Sequence, residues 1–235
     1  MKSKVYFTRI ITPEKVLEMY EVLGKELIGK IAVKLHSGEE GNQNFLKPDL
    51  EVEIPNGKVL KKNYLGKDIV NYDSMLVLSH FKGHPMGGYG GALKQLSIGC
   101  ASSYGKAYIH GAGEPEKIWT ADHDLFLESM ADAAKSVHEY FKGNIVYINV
   151  MKNMSVDCDC CAVAEDPCMD DIGILISTDP IAIDQACIDL VYASNDKGRD
   201  HLIERIESRH GIHTIEAASA LGYGSRENEL IEIDD

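Results

Sequence analysis

The sequence predicts an α/β fold with a mostly parallel sheet, helices on both faces of that sheet, and an additional antiparallel hairpin. Short apolar and β-branched runs alternate along the chain with longer segments whose apolar residues recur at helical spacing. Several of the longer segments begin with a capping residue and end at a glycine, as helices do. Alternation of this kind is typical of a parallel sheet that is covered by helices on both faces.

The N-terminal part of the chain contains five predicted strands and one predicted helix. The strands lie at residues 4–7, 31–35, 51–54, 59–64 and 74–79. Thr12 and Pro13 suit the N-cap and the first position of a helix that Gly24 would end. Asn56 and Gly57 form a strong turn signal between the third and fourth strands, and these two strands are therefore predicted to form the antiparallel hairpin.

The C-terminal part continues the alternation of strands and helices. Helical patterns begin at residue 92, at Asp124, after Asp179, at residue 202 and at residue 214, and strands are predicted at residues 145–151, 172–177 and 229–233. Ligands of such sheets bind beyond the carboxyl ends of the strands. The loops after four of the strands are therefore expected to converge on one crevice. These loops follow Leu35, Ser79, Met151 and Ser177.

Length and composition indicate a single α/β domain over residues 1–235. Hydrophobic residues make up 44% of the chain and charged residues 26%, which is ordinary for a folded domain. The formal net charge of −13 argues against a nucleic-acid partner, because phosphate binding needs a surplus of Lys and Arg. No segment approaches about 18 uncharged apolar residues, and the first residues resemble no export signal. We therefore expect a cytoplasmic protein without a membrane partner.

The segment after the strand at residues 74–79 is the richest in chemically active side chains. His80, Lys82 and His84 follow this strand directly and are candidate catalytic groups. A strand, a glycine-rich loop and a helix in this order can present backbone N–H groups to an anion. The candidate ligand-binding residues here are Gly87, Gly88, Gly90, Gly91, Lys94, Lys106 and His110. The alternative interpretation is that the glycines only permit a tight turn and close helix–strand packing.

A second polar loop follows the strand at residues 31–35. Glu39 is its candidate catalytic acid or base, and it could equally ligate a metal. The candidate ligand-binding residues of this loop are His36, Gly38 and Asn42. A solvated loop without a site is the alternative interpretation of this segment.

Four of the six cysteines lie in one short segment, and they are the candidate metal ligands: Cys158, Cys160, Cys161 and Cys168. In a chain without an export signal, such clustering indicates reduced thiols or a metal site rather than disulfides. The spacing matches neither the paired cysteines of structural zinc sites nor the motif of bacterial ferredoxins. Two interpretations stay open. One is a metal ion or an iron–sulfur cluster, and the other is a loop of redox-sensitive thiols.

Four segments together resemble a known family. They are HSGEEGN from His36, SHFKGHPMGGYGGALKQLSIGCASSYGK from Ser79, VDCDCC from Val156 and STDPIAIDQAC from Ser177. The chain resembles the bacterial and archaeal domain-of-unknown-function family three-six-two, whose members are often labelled uncharacterised Fe–S center proteins. The resemblance implies a shared site that includes His36, Glu39, His80, Lys82, His84, Lys94, Cys158 and Cys160.

The chain departs from this family at two places. Many relatives carry a ferredoxin-like insertion after the histidine that resembles His110, whereas this chain has no such cysteines between Gly113 and Asp124. Relatives also carry about thirty or more additional residues, the size of a βαβ unit, where this chain passes through residues 48–51. The chain is thus interpreted as a short form of the family, or as one that lacks a segment near residues 48–51.

The residues and the resemblance lead to two hypotheses about function. The first is a metal- or iron–sulfur-associated redox or small-molecule enzyme, in which lysines neutralise an anionic substrate beside the metal. The second is a non-catalytic binding or accessory module for an anionic small molecule or for a redox protein partner. The first hypothesis builds its site where the loops at His36, His80 and Cys158 meet.

Overall fold

The computed structural model describes residues 2–35, 50–161 and 163–234. Within these ranges the strands are β1 (Ser3–Thr8), β2 (Ile31–Leu35), β3 (Leu50–Glu53), β4 (Lys62–Leu65), β5 (Ser74–His80), β6 (Lys82–His84), β7 (Gly88–Gly90), β8 (Ile145–Met151), β9 (Gly173–Ser177) and β10 (Asn228–Glu232). The α-helices are α1 (Pro13–Leu23), α2 (Ala92–Cys100), α3 (Ser103–His110), α4 (His123–Tyr140), α5 (Pro180–Ala193), α6 (Arg199–Ser208) and α7 (Ile212–Ala220). The predicted α/β class is confirmed.

Six of the described strands form one sheet in the order β10-β1-β9-β8-β5-β2. β9 is antiparallel to both of its neighbours, and the other adjacent strands of this sheet are parallel. On one face, Met19 of α1 packs with Val146 and Ile176. On the opposite face, α2 and α5 pack through a larger core that includes Leu93 and Ile183. A mostly parallel sheet with helices on both faces is therefore confirmed.

The direction of β9 corrects one expectation. Ser177, the last residue of β9, lies beside Tyr147 near the start of β8, and Gly173 lies beside Met151 at its end. The described residues between β8 and β9 contain no helix, so the chain turns back at one edge of the sheet without the crossover that a parallel pair needs. The loop after Ser177 therefore lies at the opposite edge from the loops after β5 and β8. Its expected convergence with them is wrong.

β3 and β4 form the predicted antiparallel hairpin. Its connection is longer than the two-residue turn that Asn56 and Gly57 predict. The cause is Asp132 of α4, whose carboxylate accepts hydrogen bonds from the backbone N–H groups of residues 58–60 at 2.6–2.7 Å. These groups are directed toward α4 and not toward a partner strand, so β4 begins only at Lys62.

The sequence does not predict β6, β7 or α3. β6 and β7 pair antiparallel in a short hairpin directly after β5. α3 begins after Ser102, whose side chain accepts a hydrogen bond from the backbone N–H of Gly105. Glycines in both segments weaken the sequence signal of these elements, because glycine lowers both strand and helix propensity.

The long central helix α4 begins earlier than predicted. Its N-cap is Asp122, whose side chain accepts a hydrogen bond from the N–H of Leu125, and Asp124 lies already inside the first turn. The predicted cap at Asp124 is therefore wrong by two residues. None of the helices within the described ranges combines the length and the apolar composition that crossing a membrane requires.

Candidate metal centre

The candidate site lies at the edge of the sheet where β5 and β8 end. These strands are parallel neighbours, and His80 at the end of β5 lies beside Val150 of β8. The β6–β7 hairpin follows β5, and the cysteine segment, which we define as residues 154–161, follows β8. The parallel pair thus brings the glycine-rich and cysteine-bearing segments together, as the sequence predicts for the loops after Ser79 and Met151.

The hairpin and the cysteine segment contact each other through their backbones. The N–H of Gly83 donates to the carbonyl oxygen of Ser155 at 2.8 Å. A Cβ atom on Gly83 would lie 2.3 Å from the carbonyl oxygen of Val156, so only glycine permits this approach. Arg205 of α6 also holds the segment, because its Nη1 donates to Val156 O at 2.8 Å and to Asp157 Oδ1 at 3.1 Å. Main-chain contacts therefore set the position of the cysteines relative to the hairpin.

Three soft donor atoms converge where the two segments meet. A ring nitrogen of His84 and the sulfurs of Cys158 and Cys160 all lie within 4.8 Å of one another. His84 and Cys158 are buried, whereas Cys160 is exposed. Imidazole nitrogen and thiolate sulfur are the ligands that thiophilic metals prefer. These three residues, which we call the soft-donor cluster, are the candidate metal centre of the described residues.

The hydrogen bonds of His84 define what its ring can do. Nδ1 accepts from the backbone N–H groups of Met86 at 3.2 Å and Gly87 at 2.9 Å. Burial lowers the pKa of His84 to about 4, so the ring is neutral near neutral pH. The proton of the neutral ring is then on Nε2, which lies 3.9 Å from the sulfur of Cys160. His84 is thus placed to donate to sulfur, whereas a metal-ligating histidine needs an acceptor at its second nitrogen.

Cys158 is the acceptor at the centre of the cluster. Lys94 Nζ donates to Cys158 Sγ at 3.6 Å, and the backbone N–H of Cys160 donates to it at 3.4 Å. A side-chain hydrogen bond to Cys158, together with burial, raises the pKa of Cys160. Cationic and hydrogen-bonding neighbours of this kind stabilise a thiolate. Cys160 therefore holds its proton more tightly than a free thiol does, and Cys158 is its acceptor.

Lys82 lies beside the same cluster in the interior of the protein. Its side chain is 1% exposed, and its Nζ lies 3.2 Å from Asp159 Oδ2 and 3.2 Å from the carbonyl oxygen of His80. Burial lowers the pKa of Lys82, while the charges of Cys158 and Asp159 oppose this shift. Asp159 also lies 2.9 Å from His80 Nδ1. Asp159 thus contacts both Lys82 and His80, two predicted site residues. The sequence analysis did not select Asp159, and its position between Cys158 and Cys160 is the feature that could have identified it.

The glycines of the predicted anion loop divide into two groups. Gly88 has a φ of +79°, and a Cβ atom there would lie 2.8 Å from the Cα of Gly211. A Cβ atom on Gly91 would lie 2.4 Å from a carboxylate oxygen of Asp184. Gly90 instead borders the side chains of the two lysines beside the cluster. Gly88 and Gly91 therefore serve close packing, and Gly90 leaves room at the candidate site.

The first turn of α2 already binds a carboxylate of the protein itself. The backbone N–H groups of Ala92 and Leu93 donate to Asp184 at 2.8 and 3.0 Å. Asn149 Nδ2 and the Tyr89 hydroxyl donate to the same carboxylate at 2.8 and 3.2 Å. Burial raises the pKa of Asp184 to about 6. An external anion at this helix end would have to displace Asp184, which favours the packing interpretation of the loop.

The remaining predicted site residues that the structure describes are not part of the soft-donor cluster. The sulfurs of Cys161 and Cys168 are not among the three converging donors. The ring of His110 stacks on Phe126 at 5.0 Å, and its Nδ1 lies 2.7 Å from the carbonyl oxygen of Lys106. Four further predicted residues lie outside the described residues: His36, Gly38, Glu39 and Asn42.

Comparison with known families decides the relationship of this chain. The sequence profile described as Domain of unknown function (DUF362) matches residues 30–189. The chain belongs to this family. The match spans more than half of the chain and includes the four motif segments, so the resemblance seen in the sequence is confirmed. The description of the DUF362 family carries no activity.

No curated protein matches the chain. A solved structure that resembles it is a crystal structure of a protein from Thermotoga maritima, with 16% sequence identity and a TM-score of 0.31. The alignment covers 79% of this chain and 39% of that protein. The chain thus spans less than half the length of the Thermotoga maritima protein.

Proposed function

We propose that this protein binds a thiophilic metal ion through the sulfurs of Cys158 and Cys160, and that an anionic small molecule completes the coordination beside Lys94 and Lys82. The observation that carries the proposal is the convergence of the soft-donor cluster within 4.8 Å. Cysteines bind metals as thiolates, so binding removes the proton that Cys160 shares with Cys158 in the metal-free protein. A soft metal ion then replaces that proton between the two sulfurs.

His84 is assigned a supporting role in this proposal. Its Nδ1 accepts two backbone N–H groups, which leaves Nε2–H to donate to a ligating sulfur. Hydrogen bonds to ligand atoms orient them and tune the metal, and their loss commonly costs about 10- to 100-fold in metal affinity. His84 therefore fixes the thiolates and adjusts their basicity without entering the coordination sphere.

The lysines supply the argument for an anionic ligand. Two protein thiolates leave positions open on a tetrahedral ion. Lys94 Nζ lies 3.6 Å from Cys158 Sγ, so its charge is within reach of a molecule bound to the same ion. Lys82 adds a second ammonium group, and both lysines border Gly90, whose missing side chain leaves space beside them. Positive groups fixed in a buried site stabilise a bound anion strongly.

The cysteine geometry favours a single ion over a cluster of iron and sulfur. A four-iron cluster normally takes four cysteine thiolates. Two of the four neighbouring cysteines converge within the part of the chain that the structure describes, and Cys168 instead donates through its sulfur to a backbone carbonyl at 3.3 Å. A zinc, cobalt or copper ion therefore fits the described donors better than such a cluster.

A cobalt(II) titration of reduced protein, purified without oxygen, tests the proposal. We expect one equivalent to bind and to produce the near-ultraviolet absorption of thiolate-to-cobalt charge transfer. Cys158→Ser and Cys160→Ser should each lose this absorption and weaken binding by more than the roughly 10- to 100-fold that loss of a partner outside the coordination sphere costs. Cys168→Ser is the matched control and should bind cobalt like the unchanged protein.

Elemental analysis of the purified protein completes this test. Zinc or another single metal at one equivalent would support the proposal. Iron together with acid-labile sulfide would replace it with a cluster. Binding of cobalt that persists in both Cys158→Ser and Cys160→Ser would contradict the assigned ligands. Failure of every metal to bind would leave the second candidate, an anion site formed by Lys82 and Lys94 without metal.

A further inference from the structure

The two cysteines of the soft-donor cluster are close to each other without any metal. One residue separates Cys158 from Cys160 in the sequence, and the backbone N–H of Cys160 donates to the sulfur of Cys158 at 3.4 Å. Both sulfurs lie within the 4.8 Å limit that defines the cluster. Side-chain rotation then has to bring the two sulfurs to the roughly 2.05 Å of a disulfide bond.

The two sulfurs differ in their access to solvent. Cys158 is buried, whereas Cys160 is exposed. A small oxidant from solution therefore reaches Cys160 first, and Cys158 is positioned behind it to react with the oxidised sulfur. This arrangement of an accessible thiol next to a resolving thiol is typical of redox-sensitive cysteine pairs.

We propose that Cys158 and Cys160 form a reversible dithiol–disulfide couple, and that oxidation of this couple by a peroxide releases the bound metal. Metal release rests on the proposed function, whereas the couple itself does not. The ring closed by such a disulfide contains a single intervening residue and departs from relaxed disulfide geometry. A strained and solvent-accessible disulfide is readily reduced again, which makes the step reversible.

The chemistry balances with hydrogen peroxide as the oxidant. Cys160 gives up its proton as its sulfur attacks one peroxide oxygen. The O–O bond breaks, the proton passes to the leaving oxygen, and a sulfenic acid and one water molecule form. The sulfur of Cys158 then attacks the sulfenic sulfur, the S–O bond breaks, and a second water molecule leaves. The two thiols lose two electrons and two protons in total, and the peroxide gains them. A disulfide cannot act as a pair of thiolate ligands, so the metal loses both assigned protein ligands.

Peroxide treatment of the zinc-loaded protein tests the couple and the release together. Free zinc is followed with a chromophoric chelator, and peptide mass spectrometry after thiol blocking locates any disulfide. We expect the Cys158–Cys160 linkage and free zinc to appear with the same time course. Dithiothreitol should remove the linkage and restore binding. Zinc release through irreversible sulfinic acid, without the linkage, would overturn the proposal.

Variants of the neighbouring cysteines assign the bond. Cys161→Ser and Cys168→Ser should form the linkage like the unchanged protein, whereas Cys160→Ser should not form it. Loss of the linkage in Cys161→Ser would overturn the assignment to Cys160.

The metal-free protein separates this inference from the proposed function. If that protein forms the Cys158–Cys160 linkage but binds no metal, the couple stands and the proposed function fails. If zinc binds but peroxide produces no linkage in either form, the proposed function stands and the couple is contradicted.

Discussion

Asp184 and Cys158 are both buried acceptors surrounded by hydrogen-bond donors, but the donors differ in kind. Asp184 receives two backbone N–H groups of α2 and the side chains of Asn149 and Tyr89. Cys158 receives one backbone N–H group, that of the exposed Cys160, and the flexible side chain of Lys94. The first acceptor is enclosed by fixed groups, whereas the second borders a group that solvent reaches. Enclosure by four fixed donors therefore indicates a structural role for Asp184, and an exposed reactive neighbour indicates a functional site at Cys158.

The largest effect is expected on the free energy of unfolding when Asp184, the enclosed acceptor, is substituted. Asp184→Ala removes the acceptor for two helix N–H groups in the core, and each buried unsatisfied donor costs about 1–3 kcal/mol, so the free energy of unfolding should fall by about 4 kcal/mol. Urea denaturation followed by circular dichroism measures it. Asp189→Ala, an exposed position on the same helix α5, is the matched control and should stay within about 0.5 kcal/mol. A similarly small loss for Asp184→Ala would remove its structural role.

A pH series sharpens the same side of the comparison. Burial raises the folded-state pKa of Asp184 from its ordinary 3.8 to about 6. The stability that comes from keeping this carboxyl protonated is fully present below about pH 4 and is lost as the pH rises through about 6. The unfolding free energy of the unchanged protein minus that of Asp184→Asn should therefore fall by up to about 3 kcal/mol between these limits. A flat difference would contradict the raised pKa, and Asp189→Asn supplies the control for general charge effects.

The next largest effect is expected at His84, whose Nε2–H faces the sulfur of Cys160 beside Cys158. His84→Ala removes the Nε2–H group and should weaken cobalt binding by about 10- to 100-fold. His84→Gln keeps an N–H donor of similar reach and should recover most of that loss. Equal losses in the two variants, with a changed visible cobalt spectrum, would show that His84 is a ligand. The comparison would then be between Asp184, whose carboxylate is fully hydrogen-bonded by the protein, and a metal site with three protein ligands.

The smallest effect on cobalt affinity is expected when Arg205, which supports the cysteine segment, is substituted. Arg205 holds this segment through Val156 and Asp157, at 2.8 and 3.1 Å, and does not belong to the soft-donor cluster. Arg205→Ala should lower cobalt affinity by about 10-fold, at the weak end of the range for groups that orient ligands. Arg209→Ala removes an exposed side chain just after the same helix and should leave the affinity unchanged. Equal affinities for both variants would show that the segment is held without Arg205.

Apolar runs and caps were sufficient to predict most of the fold. Gly24 ends α1 with a φ of +65°, and Asp179 caps α5, as their residue types indicate. The direction of β9 was beyond this reasoning, because a buried strand reads as the same apolar run in either direction. The direction of β9 depends on the connection between β8 and β9, whose described residues contain no helix. The amino-acid composition of this connection does not reveal whether the next strand is parallel or antiparallel.

The candidate site was predictable in its parts and not in its assembly. His84, Lys82, Lys94, Cys158 and Cys160 were all found from residue type and from the positions of the strand ends. The role of Asp184 was missed, although an acidic residue inside the apolar run IAIDQA is a signal of a buried hub. The sequence also could not predict that Cys160 belongs to the soft-donor cluster and Cys161 does not, because this depends on the side-chain directions within one turn.

Gly83 couples the two halves of the candidate site. Its N–H bonds to Ser155, and its missing side chain admits the carbonyl of Val156, so the segments that carry His84 and Cys158 are joined main chain to main chain. The spacing between the main-chain positions that carry the donor atoms is therefore set by backbone contacts and not by the side chains at positions 84, 158 and 160. The backbones of the β6–β7 hairpin and the cysteine segment thus form a support that does not depend on the residues of the soft-donor cluster. Substitution of a donor residue should therefore change the atoms that the site offers while the surrounding backbone stays in place.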